Sequence, residues 1–339
     1  MNKKKSICIA AVLTVLLLGC LYLLQCLVMP KYMSEIPEGA LIAEYYKEEV
    51  KNHDVLFIGD CEVYENVSPV TLWEEYGISS YIRGSAQQLI WQTYYLLEDT
   101  LRYETPDVFV FNVLSMKYDE PQNEAYNRMS IDGMRLSMSK IRCALASMTE
   151  EEELLTYLFP LLRYHTRWSE ITTEDFRYLF HRDTVSHNGY LMQKEIRPME
   201  TRPRGKKLPN YQFSEICYEY LDKMVALCGE NGVQMVLMKA PSVYPYWYDE
   251  WDVQMQEYAE EHGLIYINYL DCYEEIGIDF STDTYDAGLH LNVYGAEKLS
   301  KHLGKVLAEQ CGVSDHREDA VYKEIWDEKV ARYYQERNE

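Results

Sequence analysis

Short apolar runs alternate along the chain with longer stretches of mixed apolar and polar residues. The short runs are almost continuously apolar, which is typical of strands buried on both faces of a parallel sheet. The longer stretches have the length and periodicity of helices. The predicted strands cover residues 55–58, 80–82, 108–113, 233–238 and 264–267, and the predicted helices cover 87–103, 213–229, 252–262, 296–310 and 321–337.

Strands that alternate with helices predict an α/β fold, a three-layer αβα sandwich with about five parallel strands and helices on both faces. In such sheets ligands bind at the carboxyl ends of the strands. About ninety residues interrupt the alternation between the third and fourth strands, and they predict a helical cap over the sheet or, alternatively, a lid that shapes a glycan or acyl-donor site. The predicted segments are an anchor (1–30), a stalk or short helix (31–52), the α/β domain (53–117 and 212–311), the insertion (118–211) and a C-terminal helix (312–339).

The N-terminus predicts a membrane anchor. Three lysines, residues 3–5, precede an apolar stretch at 7–29, which is about the twenty residues that cross a bilayer as a helix. The lysines should stay in the cytoplasm, so the rest of the chain should be extracytoplasmic and attached by a single pass. The segment Leu17 to Cys20 also resembles a lipoprotein processing box, which leaves lipidation of Cys20 as an alternative.

Charge and cysteine content exclude several classes of protein. The net charge of −22 makes nucleic acid an unsuitable partner, because phosphate binding needs clustered cations. The nine cysteines include no CxxC pair, so neither a zinc site nor a dithiol redox site is predicted. Most of them are expected to be buried apolar residues, and no cofactor or metal is expected.

Two segments carry candidate chemistry. Gly59, Asp60 and Cys61 follow the first predicted strand, and DTYDAGLHLN, residues 283–292, precedes the helix at 296–310. Acyl transfer needs a nucleophile, a base beside it and a carboxylate that orients the base. Cys61, His290 and Asp286 would supply these groups if the fold brings the two segments together, and Asp283 is an alternative orienting acid.

Together these segments resemble the SGNH/GDSL hydrolase superfamily, and especially its membrane-anchored, DltD-like branch. The resemblance covers roughly residues 55–307 and is weakest in the insertion. It implies a flavodoxin-like SGNH fold, with Cys61 in the position of the family's nucleophilic serine and DAGLHLN in that of Asp-x-x-His-x-Asn. It also implies an oxyanion or substrate-binding set made of Gly84, Asn112, Asp60 and Asn292.

Two departures from the family pattern affect the functional prediction. The nucleophile is a cysteine, which suits an acyl-thioester mechanism but equally a site that only binds. Asp286 lies four residues before His290, where the family has three, so a bulge or wider turn at Gly288 is expected.

Two functions remain open on this reading. The first is an acyl or O-acetyl transferase, or an esterase, that acts on a cell-surface glycan, with a polytopic membrane acyltransferase as the partner that the resemblance implies. The second is an inactive binding or scaffolding protein in an envelope acylation complex.

Overall fold

The computed structural model describes residues 3–29, 39–48, 50–181 and 184–339. Its strands are β1 (Val55–Gly59), β2 (Ser80–Gly84), β3 (Val108–Asn112), β4 (Gln234–Lys239) and β5 (Ile265–Asn268). Its α-helices are α1 (Lys3–Val28), α2 (Ala40–Glu44), α3 (Cys61–Tyr64), α4 (Pro69–Tyr76), α5 (Ile90–Thr100), α6 (Glu124–Ile131), α7 (Met138–Ser147), α8 (Leu154–Leu158), α9 (Leu161–Tyr164), α10 (Thr173–Phe180), α11 (Glu215–Asn231), α12 (Asp249–His262), α13 (Tyr269–Cys272), α14 (Val293–Glu309) and α15 (Ala320–Asn338). Short 3₁₀ helices cover Tyr45–Lys47, Val113–Lys117 and His165–Glu170.

The five strands form one parallel sheet in the order β2-β1-β3-β4-β5. This is the flavodoxin-like doubly wound order. The chain adds β2 on one side of β1 and then adds β3, β4 and β5 in turn on the other side, so the strand order reverses between β1 and β3. The predicted α/β class and the five parallel strands are therefore confirmed, with boundaries that differ by one or two residues.

Alternate residues of each strand enter different cores, which makes the sheet the middle layer of a three-layer sandwich. Phe57 and Val110 face a core completed by α4, α14 and α15. Ile58 and Phe111 face a second core completed by α5, α7, α11 and α12. Burial on both faces explains why the strand segments are continuously apolar and do not alternate with polar residues.

The carboxyl ends of β1 and β3 lie side by side at the point where the strand order reverses. Ile58 pairs with Phe111, so Asp60 and Asn112, which end or follow these strands, are brought to the same edge. In doubly wound sheets this crevice is where ligands bind. The fold therefore places the segment around Cys61 where a site is expected.

Within its described residues, the insertion is helical only in its first part, from Glu124 to Phe180. Its helix α7 packs against α5, whereas α9 and α10 pack against α1. Residues 184–211 contain no further helix or strand. They run along the edge of β2, where the amide of Ile82 donates to Asn188 O at 2.9 Å, and continue towards the carboxyl end of the sheet.

The apolar helix α1 has 26 residues and a mean hydropathy of 2.8 over its most apolar 18-residue window, enough to cross a membrane by length and composition. None of that window is buried in the protein. The predicted stalk lies partly outside the described residues, and its described part contains α2 and the 3₁₀ turn Tyr45–Lys47.

Candidate active site

Cys61 is the first residue of α3, directly after β1. Asp60 caps this short helix by accepting a hydrogen bond from the amide of Glu62 at 3.2 Å. The thiol of Cys61 is half-buried among the apolar residues of the first core. The turn from strand to helix therefore holds the sulfur at the carboxyl edge of the sheet.

The loop before α14 brings His290 to the same edge. His290 is buried, and its amide donates to Asp286 Oδ1 at 2.8 Å, while its Nδ1 lies 2.7 Å from Asp286 Oδ2. Ala287 and Gly288 adopt left-handed conformations, with φ of 69° and 98°. These two residues turn the chain back on itself, so the extra residue between Asp286 and His290 is absorbed by a wider turn of the expected kind.

A second carboxylate contacts the same ring nitrogen. Glu65 Oε2 lies 2.9 Å from His290 Nδ1 and accepts a hydrogen bond from the Tyr285 hydroxyl at 2.6 Å. The rings of Tyr285 and His290 are stacked with centroids 6.1 Å apart. Residue Glu65 follows Cys61 by four positions, so one turn of helix places both side chains on the same side of the site.

The thiol of Cys61 lies beside the imidazole of His290, and each affects the ionisation of the other. Among the described residues, the buried Nε2 of His290 has no hydrogen-bond partner. The Cys61 thiol is therefore close to the ring but is not aligned to donate a hydrogen bond to Nε2.

Burial and charge set the protonation of this pair. Burial raises the pKa of the Cys61 thiol to about 11; the charges of Asp60 and Glu65 add to the rise, and the contact with His290 opposes it. Burial lowers the pKa of His290, but the contacts with Asp286, Cys61 and Glu65 outweigh it and raise that pKa well above its ordinary value. At neutral pH the resting pair therefore holds both protons, as a thiol and an imidazolium.

The two carboxylates and His290 are also groups that could ligate a metal ion, since one atom from each lies within 4.8 Å of the others. The Nδ1–oxygen distances of 2.7 and 2.9 Å are those of direct hydrogen bonds. Ligands of one tetrahedral metal would be more than about 3 Å apart. The geometry therefore fits a protonated ring between two acids.

The structure gives the alternative acid Asp283 a different environment. Asp283 Oδ2 accepts from Lys298 Nζ at 2.6 Å and from the amide of Asp279 at 2.8 Å. These bonds fix the loop that leads into the His290 turn. Asp286, and not Asp283, is the aspartate in contact with the imidazole.

Asn112 and Asp60 belong to a buried polar network below the thiol. The Asn112 side-chain amide donates to Asp60 Oδ1 at 3.1 Å and to Glu62 Oε2 at 3.0 Å, and its oxygen accepts from the amide of Ala240. Burial and the charge of Glu62 raise the pKa of Asp60 to about 7, although Lys117, Lys239 and Asn112 oppose the rise. The amide of Asn112 is thus engaged within the protein and is not presented to a substrate.

The other two predicted binding residues have visible structural roles. Asn292 caps α14 by accepting from the amides of Tyr294 and Gly295, and its amide donates to the carbonyl oxygens of Glu195 and Thr282, so its hydrogen-bonding capacity is used. Gly84 ends β2, and a Cβ there would lie 2.8 Å from Tyr64 Cδ1. This glycine lets α3 pack closely on β2, which brings its backbone near the Cys61 turn.

Sequence reasoning missed Glu65, Glu62 and Lys239. Lys239 Nζ lies 2.9 Å from both carboxylate oxygens of Glu62, and both side chains are essentially unexposed. The spacing in CEVYE, residues 61–65, is the signal that could have found Glu65, but only with α3 already assigned as a helix.

Comparisons with known proteins do not assign this chain to a family. No family model and no curated protein matches the sequence. Among solved structures, it is similar to a Bacteroides fragilis protein named as a putative acylhydrolase, with a TM-score of 0.39, 11% identity and coverage of 79% of this chain and 95% of that one. It is also similar to a GDSL-like lipase from Bacteroides thetaiotaomicron, with a TM-score of 0.36, 10% identity and coverage of 80% and 100%. Similarities this distant carry no argument about the activity.

Proposed function

We propose that this protein is a membrane-anchored, extracytoplasmic acyltransferase or esterase of the SGNH type, related to the DltD-like branch, which acts on a cell-envelope polysaccharide. The observation that carries the proposal is the arrangement around His290. Asp286 and Glu65 hold Nδ1, and the remaining nitrogen, Nε2, faces no other polar partner among the described residues. This is the arrangement of a base whose tautomer is set by carboxylates beside a nucleophile.

The proposed reaction begins when the Cys61–His290 pair has lost one of its two protons. The Cys61 sulfur attacks the ester carbonyl carbon, and His290 holds the thiol proton at Nε2. When the tetrahedral intermediate collapses, the bond to the leaving oxygen breaks and His290 donates that proton to it. The products of this step are an alcohol and an acyl thioester on Cys61.

The second half of the reaction reverses these roles. A hydroxyl of the acceptor glycan, or water, gives its proton to His290 and attacks the thioester carbonyl. The carbon–sulfur bond breaks, and the proton returns to Cys61. We assign the oxyanion to the backbone amides of Cys61 and Gly84, since the side-chain amide of Asn112 already donates to Asp60 and Glu62. One such donor stabilises the transition state by about 3 kcal/mol.

The apolar helix α1 supports the membrane attachment in this proposal, with the polytopic acyltransferase as the partner that would deliver the acyl group.

A second function, a scaffold that binds the acceptor without turnover, is favoured by one observation. Burial keeps the Cys61 thiol protonated at neutral pH, with a pKa raised to about 11.

Hydrolysis of p-nitrophenyl acetate by the full chain in detergent separates the two functions. The active-site proposal expects turnover that is lost in Cys61→Ala and His290→Ala and retained in Cys311→Ala, which removes another half-buried thiol. Cys61→Ser tests whether the thiol itself is required. Equal background rates in the native chain and in all variants would support the scaffold function and contradict the enzymatic function.

A further inference from the structure

An apolar groove of about 840 Å³ lies between the C-terminal half of α1 and the insertion. One wall is a single face of α1, because its lining residues recur every three or four positions. The other walls come from α2 and the turn that follows it, from the segments around α8 and α9, and from residues 132–136, where Leu136 is 72% exposed. The α1 wall consists of Leu18, Leu21, Tyr22, Gln25 and Cys26.

The protein fixes the position of this groove relative to α1. Arg167 donates to the carbonyl oxygens of Val28 and Met29, each at 3.1 Å, and Asp175 holds its guanidinium at 3.2 Å. Val28 is buried against the insertion. The end of α1 is therefore capped and packed by the extracytoplasmic part of the chain.

The depth of the groove matches one leaflet. A helix needs about 20 residues to cross the hydrocarbon core, so a span that starts after Lys5 ends near Gln25. The groove wall runs from Leu18 to Cys26, which at 1.5 Å per residue is about 12 Å. Half of the hydrocarbon core is about 15 Å, so the wall lies at the level of the outer leaflet.

Cations stand at the polar end of the groove. Lys47 and Arg135 line it and are exposed, and Arg135 is held by its bond to the Tyr46 carbonyl at 3.3 Å. Both lining acids turn inward: Glu44 accepts from the amide of Val185 and the Ser186 hydroxyl, and Asp132 accepts from the Arg128 guanidinium. In a chain of net charge −22, this cationic rim is a local exception.

We infer that the groove binds one anionic phospholipid of the outer leaflet, with an acyl chain along α1 and the phosphate at Lys47 and Arg135. The inference rests on the membrane attachment in the proposed function but not on its chemistry. Basic residues near a membrane surface attract anionic lipid headgroups. The acyl chain fills the groove and packs against its exposed leucines, Leu18 and Leu21.

Native mass spectrometry of the full chain, released from nanodiscs of equal parts phosphatidylglycerol and phosphatidylcholine, tests this site. The expected result is one retained phosphatidylglycerol in severalfold excess over phosphatidylcholine. Leu21→Trp fills the groove and should abolish retention, whereas Leu23→Trp, on an exposed α1 position outside the lining, should not. Arg135→Glu should remove the headgroup preference, and Lys305→Glu, an equal change in charge at an exposed position outside the lining, should leave it.

The outcomes separate this inference from the proposed reaction. Cys61→Ala should retain lipid as the native chain does, because binding does not require turnover. Equal retention of both lipids, or retention unchanged by Leu21→Trp, overturns the groove even if the ester is hydrolysed. A chain that carbonate extracts from membranes overturns both the attachment and the groove. Lipid retention with no Cys61-dependent hydrolysis overturns the reaction alone.

Discussion

Glu65 Oε2 lies 2.9 Å from Nδ1 of His290, the same nitrogen that contacts Asp286 Oδ2 at 2.7 Å. Two acids on one ring nitrogen stabilise the imidazolium more than a single orienting acid would. The positive charge of the ring is then compensated on the side away from Cys61. This explains why the contact with His290 does not offset the burial that raises the thiol pKa.

Replacement of Glu65 should change the pH dependence of catalysis. The pKa values of both His290 and Cys61 are raised, so the pair must lose one proton before it reacts, and activity should rise as the pH increases above 7. Glu65→Gln removes a negative charge that raises both pKa values, and should shift the rising limb to lower pH by about one unit. The measurement is kcat/KM for p-nitrophenyl acetate from pH 5 to 9.5, with the Cys61→Ala rate subtracted.

If the rising limb of the pH profile of kcat/KM stays in place or moves to higher pH in Glu65→Gln, the electrostatic role given to Glu65 is contradicted. Glu74→Gln is a suitable control, because Glu74 lies on α4 and bonds to the Tyr334 hydroxyl, away from the imidazole.

Replacing Asp286 should mainly affect catalysis, whereas replacing Asp283 should mainly affect stability. Asp286→Asn removes a direct partner of His290 and should lower kcat by about 10- to 100-fold, since Glu65 still orients the ring. Asp283→Asn weakens the bond to Lys298 and should instead lower the melting temperature, with kcat nearly unchanged. The comparison needs kcat and thermal unfolding for both variants. A larger loss of kcat in Asp283→Asn would reverse the assignment.

The buried pair of Glu62 and Lys239 should be important for stability. Lys239→Met leaves the Glu62 carboxylate buried without its cation, and should lower the free energy of unfolding by about 3–5 kcal/mol. The double variant Glu62→Leu/Lys239→Met should recover part of that loss, because neither charge is then left unpaired. Urea unfolding measures both.

Lys223→Met is the control for this pair. Lys223 and Glu219 form a salt bridge at 2.6 Å on the surface of α11, where both side chains are largely solvated. Its loss should cost about 0–1 kcal/mol. Equal effects of Lys223→Met and Lys239→Met would show that burial of the inner pair has no energetic consequence.

The sequence predicted the sheet well because burial on both faces leaves a local signal. All five strands were located from apolar runs such as 55–58, and the wider turn at Gly288 followed from counting residues. The shared use of His290 by Asp286 and Glu65 was not predictable in the same way, because it depends on α3, a single turn of helix without periodicity.

The polar network below the site was also beyond the local pattern. Lys239 ends β4, one residue beyond the predicted strand, and Glu62 follows the candidate nucleophile, 177 residues away. Lys239 and Glu62 come together only because β3 pairs with both β1 and β4. The same pairing lets the side-chain amide of Asn112 donate to Glu62. Its side chain was expected at the oxyanion, but tertiary contacts give it a different set of partners.

The central claim is that Cys61 forms an acyl thioester, and the most direct measurement is the intact mass of the full chain quenched in acid during turnover of p-nitrophenyl acetate. The account predicts an added mass of one acetyl group (about 42 Da), mapped to Cys61, removed by neutral hydroxylamine and absent in Cys61→Ala. It also predicts slower formation of the adduct in His290→Ala. An unmodified Cys61 while ester is being hydrolysed, or an adduct of equal amount in Cys61→Ala, would contradict it.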